Sequence, residues 1–151
     1  MASTCIGLIS DTHGLVRPQA IVALEGVDLI LHAGDVCSDV ALEELAQIAP
    51  VLAVAGNCDD DPRLPAFLLH VVDGVRILLH HSHLPMDESL HQPDIIITGH
   101  SHQPAIEQDG NVLRINPGSA GPRRFRLPVT VARLTIIDGK PEAELIELDG
   151  R

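Results

Sequence analysis

A chain of 151 residues, 45% of them apolar, has the length of one domain and can enclose a continuous core burying about 70% of the surface its unfolded form exposes. Trp and Tyr are absent and only Phe67 and Phe125 are aromatic, so Val, Ile, Leu and Ala must fill that core. A formal charge of −11 excludes a broad basic surface holding long nucleic acid; the composition excludes disorder, and no run approaches the ~20 apolar residues of a membrane span.

Taken in chain order, residues 5–9 read as a strand and residues 18–24 as a helix with Pro18 in its first turn. Residues 28–31 form a second strand. A helix follows over residues 39–48, capped by Ser38 or Asp39, with Leu42, Leu45 and Ile48 on one face. Residues 51–55 complete a βαβαβ order, which implies parallel pairing with right-handed crossovers.

The second half changes character. Asp73-Gly74, Asp109-Gly110 and Asp138-Gly139 each separate alternating runs and predict three hairpins: residues 68–72 with 75–79, 105–108 with 112–115, and 129–137 with 142–148. A short helical or irregular segment near residues 86–90 leads into one more parallel-type strand, 94–98. So many strands require two packed sheets with helices outside, in a single domain covering residues 1–151.

Cys5, Cys37 and Cys58 are odd in number and lack the short paired spacings of a zinc ribbon or redox dithiol, so a reduced, cytoplasmic setting is expected. The apolar stretch before Ser10 has no basic leader and meets Asp11 too soon for a signal peptide. The sequence leaves the oligomeric state open, a homo-oligomer included.

Five apolar runs end in the same kind of polar group. These are Asp11-Thr12-His13, Gly34-Asp35, Gly56-Asn57-Cys58-Asp59, His80-His81-Ser82-His83 and Gly99-His100-Ser101-His102. Sites in open α/β sheets form beyond the carboxyl ends of the strands, and parallel strands bring those ends to one edge. Carboxylate, imidazole and amide oxygen suit Mn, Fe, Co, Ni or Zn, whereas the lack of clustered thiolate argues against a structural zinc site. Asp11 with His13, and His100 with His102, have the i, i+2 spacing that turns both side chains one way from an extended backbone. Gly34, Gly56 and Gly99 are expected to let the chain turn sharply as it leaves each strand.

His32, His70 and His91 lack such company and read as structural or surface residues, and the acidic run 59–61 reads as a solvated turn. Arg123, Arg124 and Arg126 form the one basic cluster, just after the loop Asn116-Pro117-Gly118-Ser119. That loop is either a tight turn or a contact to a bound phosphoryl group through Asn116, Ser119 or the backbone, with Arg123 or Arg124 as a charged clamp.

Asp11-x-His13, Gly34-Asp35, Gly56-Asn57-Cys58-Asp59, His81-x-His83 and Gly99-His100-x-His102, in this order, resemble the calcineurin-like metallophosphoesterases. Cys58, Asn116-Pro117-Gly118-Ser119 and the short length resemble the small YfcE-type phosphodiesterase branch, related in fold to the retromer subunit Vps29. The resemblance implies a four-layer α/β/β/α sandwich of two mixed sheets and a site for two divalent metal ions, Mn foremost with Fe, Ni, Co or Zn as alternatives. It implies that Asp11, His13 and His102 hold one ion, that Asn57, His81 and His100 hold the other, and that Asp35 bridges them.

The implied activity is hydrolysis of a small or nucleotide-like phosphodiester by a metal-bridging water or hydroxide. The alternatives are a phosphomonoesterase and a non-catalytic, Vps29-like protein-binding scaffold. Many relatives have a proton-donating His where Cys58 stands, and a thiol is a poor substitute; Cys58, Asp59 and His83 are therefore the candidate catalytic residues beside the metal ligands. Ser82 occupies a position where the family usually has Gly. Within the histidine run, His81 is expected to bind metal, His83 to contact substrate, and His80 to face away and matter to neither.

Overall fold

A computed structural model describes residues 3–123 and 126–148. Strand β1 (Ser3–Ile9) pairs in parallel with β2 (Leu29–His32), which pairs in parallel with β3 (Val51–Ala53). On the other side of β1 lies the antiparallel hairpin of β9 (Thr130–Ile137) and β10 (Lys140–Glu147), giving the order β10-β9-β1-β2-β3. The second sheet has the order β4-β5-β6-β8-β7. In it β5 (Val75–His80), β6 (Ile95–Ile97) and β8 (Val112–Asn116) are parallel, and β4 (Phe67–Val72) and β7 (Ala105–Asp109) pair antiparallel at its edges.

Period-two alternation decides which residues meet between the sheets. Ile6, Leu8 and Leu31 of the first sheet share one buried cluster with Ile77, Leu79, Ile95 and Ile97 of the second, joined by Leu134 and Ile136 of β9. The intervening positions of the first sheet, such as Ile9 and Ile30, face the helices. There they pack with Ala20 and Leu24 at α1 (Pro18–Ala23) and with Ala41 and Leu45 of α2 (Asp39–Ala46). Ser38 caps α2, its hydroxyl accepting from the Val40 N–H at 3.1 Å.

The fold is the expected one of two mixed sheets, but its fourth layer is reduced to the 3-10 helix Glu88–His91. The Glu88 carboxylate receives His80 Nε2 at 2.7 Å and Arg114 Nη2 at 2.7 Å, both from the outer face of the second sheet. Arg76 donates to the His91 carbonyl from the same face. Polar side chains of the strands, rather than an apolar helix stripe, thus hold this layer.

All three Asp-Gly hairpins form. Asp73-Gly74 and Asp138-Gly139 have both central residues at positive φ, the conformation that matches strand twist. At the middle hairpin Asp109 is still paired, with Val112, so the turn is Gly110-Asn111, one residue later than the dipeptide suggests.

Candidate metal centre

The segments following β1, β2, β3, β5 and β6 meet at one edge of the two sheets. Asp11, Asp35, His81 and His102 form the buried floor, His13 is partly buried, and Asn57 and His100 are exposed at the mouth. One oxygen of each carboxylate is held by the protein. Asp11 Oδ2 accepts from Ser10 Oγ at 2.7 Å and from the His100 N–H at 3.2 Å, and Asp35 Oδ1 accepts from the Cys58 N–H at 2.9 Å.

The other oxygen of each points inward. Asp11 Oδ1 lies 3.4 Å from His102 Nε2 and 3.7 Å from His81 Nε2, while Asp35 Oδ2 lies 3.3 Å from His81 Nε2 and 3.5 Å from His13 Nε2. His81 Nδ1 donates to the Ala33 carbonyl at 2.8 Å, which turns Nε2 toward these oxygens and toward Asn57 Oδ1, 3.0 Å away. His100 Nδ1 lies 3.1 Å from the same Asn57 oxygen. Asp11 Oδ1 and His13 Nε2 are buried without a hydrogen-bond partner.

Acceptors facing acceptors in a buried space are satisfied by a cation among them. Two groups of donors, Asp11 with His13 and His102, and Asp11 with Asp35 and His81, have their ligand atoms within 4.8 Å of one another. Oxygen and imidazole donors with fixed outer partners fit a divalent metal ion. Burial pushes the Asp35 carboxyl up, but the Cys58 N–H bond and the nearby His81 and His13 rings outweigh it and hold the group below its usual value.

The backbone reaches this arrangement differently from the extended pincer expected of the i, i+2 pairs. Asp11, His13, Asp35, His100 and His102 all have left-handed φ, between 47° and 71°. Alternation along a strand therefore does not aim these side chains; tight turns do. Each such turn in a non-glycine residue costs about 1 kcal/mol or more, a strain of the kind stored at functional sites.

The glycines need a second correction. Gly34 does turn, at φ 105°, but Gly56 and Gly99 have no positive φ. They are glycine because of close approach: a Cβ on Gly56 would fall 2.2 Å from Asp35 Oδ1, and one on Gly99 would fall 2.1 Å from Ser10 Oγ.

The residues expected to touch phosphate or move protons divide sharply. Asn116 is buried, donates to the Gly99 carbonyl and Ser101 Oγ, and accepts from the Gly118 N–H, so its amide braces the His100–His102 turn instead of facing the mouth. Ser119, also buried, donates to the Asp11 carbonyl at 3.2 Å. Asp59 accepts from the Val36, Cys37 and Gly56 N–H groups, and both its oxygens are engaged in tying the loops after β2 and β3. Arg123 is exposed and donates to the Leu127 carbonyl, Arg126 is exposed, and Arg124 lies outside the described residues.

Two of the residues expected to be catalytic, His83 and Cys58, lie beside these carboxylates and imidazoles. The His83 ring lies 5.3 Å from His81 and 6.4 Å from His100, centroid to centroid, and its Nδ1 is buried without a hydrogen-bond partner. Burial, with the His81 and His100 rings beside it, lowers its pKa, which keeps it neutral at pH 7. Cys58 is exposed, and its thiol is pushed up by desolvation and by the Asp35 carboxylate.

His32 carries a supporting role that its sequence surroundings do not reveal. Its Nδ1 accepts from the Gly34 N–H at 3.1 Å, so its Nε2 donates to Thr12 Oγ1 at 3.0 Å, linking the loops that carry Asp11 and Asp35. Complete burial lowers its pKa to about 4. Ser10 was equally invisible in sequence. The one signal for it was its adjacency to Asp11.

Two mixed sheets bearing Asp, Asn and His at the carboxyl ends of their strands define a metallophosphoesterase-type α/β protein. The chain belongs to the calcineurin-like phosphoesterase superfamily, whose domain model matches residues 5–139. It is 36% identical to a probable metallophosphoesterase of Methanothermobacter thermautotrophicus, across 93% of this chain and 91% of that protein. It is 30% identical to the Escherichia coli phosphodiesterase YfcE, across 73% of this chain and 76% of that protein. In fold it matches Vacuolar Protein Sorting 29 of Cryptosporidium parvum with a TM-score of 0.75 and 23% identity, over 97% and 98% of the two chains. Membership of this family implies a hydrolase of phosphoric esters that uses divalent metal. No helix among the described residues is long and apolar enough to cross a membrane.

Proposed function

We propose that this chain is a dinuclear metal-dependent phosphodiesterase acting on a small or nucleotide-like phosphodiester. The observation carrying this reading is the set of inward lone pairs: Asp11 Oδ1 and His13 Nε2, buried without hydrogen-bond partners, and His81 Nε2, whose ring proton is committed to Ala33. Asp11, His13 and His102 would hold one ion and Asn57, His81 and His100 the other, with Asp35 between them. Mn²⁺ is the expected ion, and Fe, Co, Ni or Zn suits the same donors. Three free thiols fit a reducing cytoplasm.

Two divalent ions supply Lewis acidity and activated water for in-line attack at phosphorus. The chain's own residues do the rest. Two carboxylates against two divalent cations leave the site at about +2, which draws a phosphate to a protein of negative charge. Asn57 and His100, at the open mouth, border the approach of the substrate. The His83 ring, its pKa lowered by burial, stands beside His81 and His100 to contact a substrate oxygen.

The Cys58 thiol is a weak acid where a leaving alkoxide needs a proton, so diesters with good leaving groups should turn over fastest. Metal content and hydrolysis of bis(p-nitrophenyl) phosphate and of its monoester test the reading. Wild type should bind Mn²⁺ and prefer the diester; His81→Ala should lose metal and rate together, and His83→Ala should keep metal and lose turnover. A wild-type protein with neither metal nor turnover would make it a non-catalytic scaffold on this fold.

A further inference from the structure

Beside the dinuclear centre stands a second group of donors of a different character. Cys37 Sγ, Cys58 Sγ and a ring nitrogen of His13 lie within 4.8 Å of one another. Cys37 Sγ is 3.8 Å from His13 Nδ1, the nitrogen opposite the one that faces Asp35. Both cysteines are exposed and free, and they line a cleft of about 460 Å³ that also takes in Asp59, Asp60 and Asp61.

The spacing is set by the fold rather than by loose loops. Cys37 follows β2 and Cys58 follows β3, and one carboxylate ties the two segments: Asp59 accepts from the Cys37 N–H at 2.8 Å and from the Gly56 N–H at 2.8 Å. The Cys58 N–H is held in turn by Asp35. Cys37 itself has φ 64°, a left-handed conformation that a cysteine does not adopt for local reasons.

Sulfur donors select cations differently from the oxygen-rich centre next to them. Mn²⁺ prefers carboxylate, carbonyl and imidazole, whereas thiolates favour Zn²⁺, Cd²⁺ or Cu⁺. We propose that Cys37, Cys58 and His13 form an accessory site for a thiophilic cation at the mouth of the cleft, distinct from the dinuclear centre. Binding releases the two thiol protons to solvent, together with the His13 ring proton when both of its nitrogens are coordinated, and puts the cation's charge beside Asp35 and Asp59. Because the two nitrogens of the His13 ring face opposite ways, the accessory cation and the dinuclear centre share one imidazole. Occupancy of either site must then alter the affinity of the other by an equal factor. This coupling rests on the proposed dinuclear function; the thiol site itself does not.

The test uses Cd²⁺ as the probe, added to full-length protein already saturated with Mn²⁺. Wild type should take up Cd²⁺ with a sulfur-to-metal charge-transfer absorption in the ultraviolet and without releasing its Mn²⁺. Cys37→Ser and Cys58→Ser should each lose that band while keeping the wild-type urea midpoint. Cys5→Ser should retain it, because Cys5 Sγ lies in the first sheet and accepts from Arg133 and Thr135. Absence of the band in wild type, or its persistence in the double variant Cys37→Ser/Cys58→Ser, overturns the proposal. Mn²⁺ counted in the same samples reports on the dinuclear centre separately, so failure of one reading is distinguishable from failure of the other.

Discussion

The conformation of Ser82 ties a single residue to the wall of the site. It sits at φ 77°, where a Cβ clashes with its own backbone, and its side chain is exposed and makes no described hydrogen bond. A glycine at this position would have no such cost. Ser82→Gly should raise stability by about 1 kcal/mol, read as a higher urea midpoint at unchanged metal content. Ser10 acts through Asp11. Its hydroxyl fixes one oxygen of Asp11 so that the other faces the centre, and Ser10→Ala should weaken metal binding by roughly 10–100-fold in a direct titration, with little change in fold. Of the three clustered histidines, His81 faces Asp35 and the His83 ring packs beside His81. His80 does face away, yet it is buried against Glu88 and is not a passive surface residue.

That His80–Glu88–Arg114 group is the fastening of an element. The 3-10 helix Glu88–His91 buries no residue of its own, so it cannot be held by an apolar face, and its attachment rests on hydrogen bonds to strand side chains. Glu88→Ala strands a buried imidazole and an Arg together. It should cost about 1–3 kcal/mol in urea unfolding while leaving bound metal unchanged, since no metal donor touches Glu88. The loops after β2 and β3 are fastened in the same manner by Asp59, whose carboxylate satisfies three backbone N–H groups at once. Such fastenings are hard to read from sequence because Asp59 and Glu88 lie 22 and 26 residues from partners that only the folded chain brings close.

On the scale of the whole molecule, His32 makes folding respond to pH. Its pKa is about 4 when folded and near 6.5 when exposed, so between these values the unfolded chain binds the extra proton. Stability should therefore be unaffected by this residue above pH 6.5 and fall as pH drops toward 4, by about 3 kcal/mol at most. Urea midpoints in the presence of a chelator at pH 7 and pH 4.5 check this, with a shallower fall expected for His32→Gln. The order of elements, the turns at Asp73-Gly74 and Asp138-Gly139, and the five polar strand ends were legible in the sequence, because hydrophobic period and turn chemistry are local properties. So was the meeting of carboxylates and imidazoles at one edge, since those residue types cluster at those ends. What the tertiary structure alone decided was how the donors are aimed and what braces them. Left-handed turns at Asp11, His13, Asp35, His100 and His102 replace the extended pincer, and close packing against Asp35 and Ser10, not sharp turning, requires Gly56 and Gly99. Asn116, Ser119 and Asp59 brace backbone that lies far away along the chain, as does His32, and a sequence read through neighbours cannot contain such contacts.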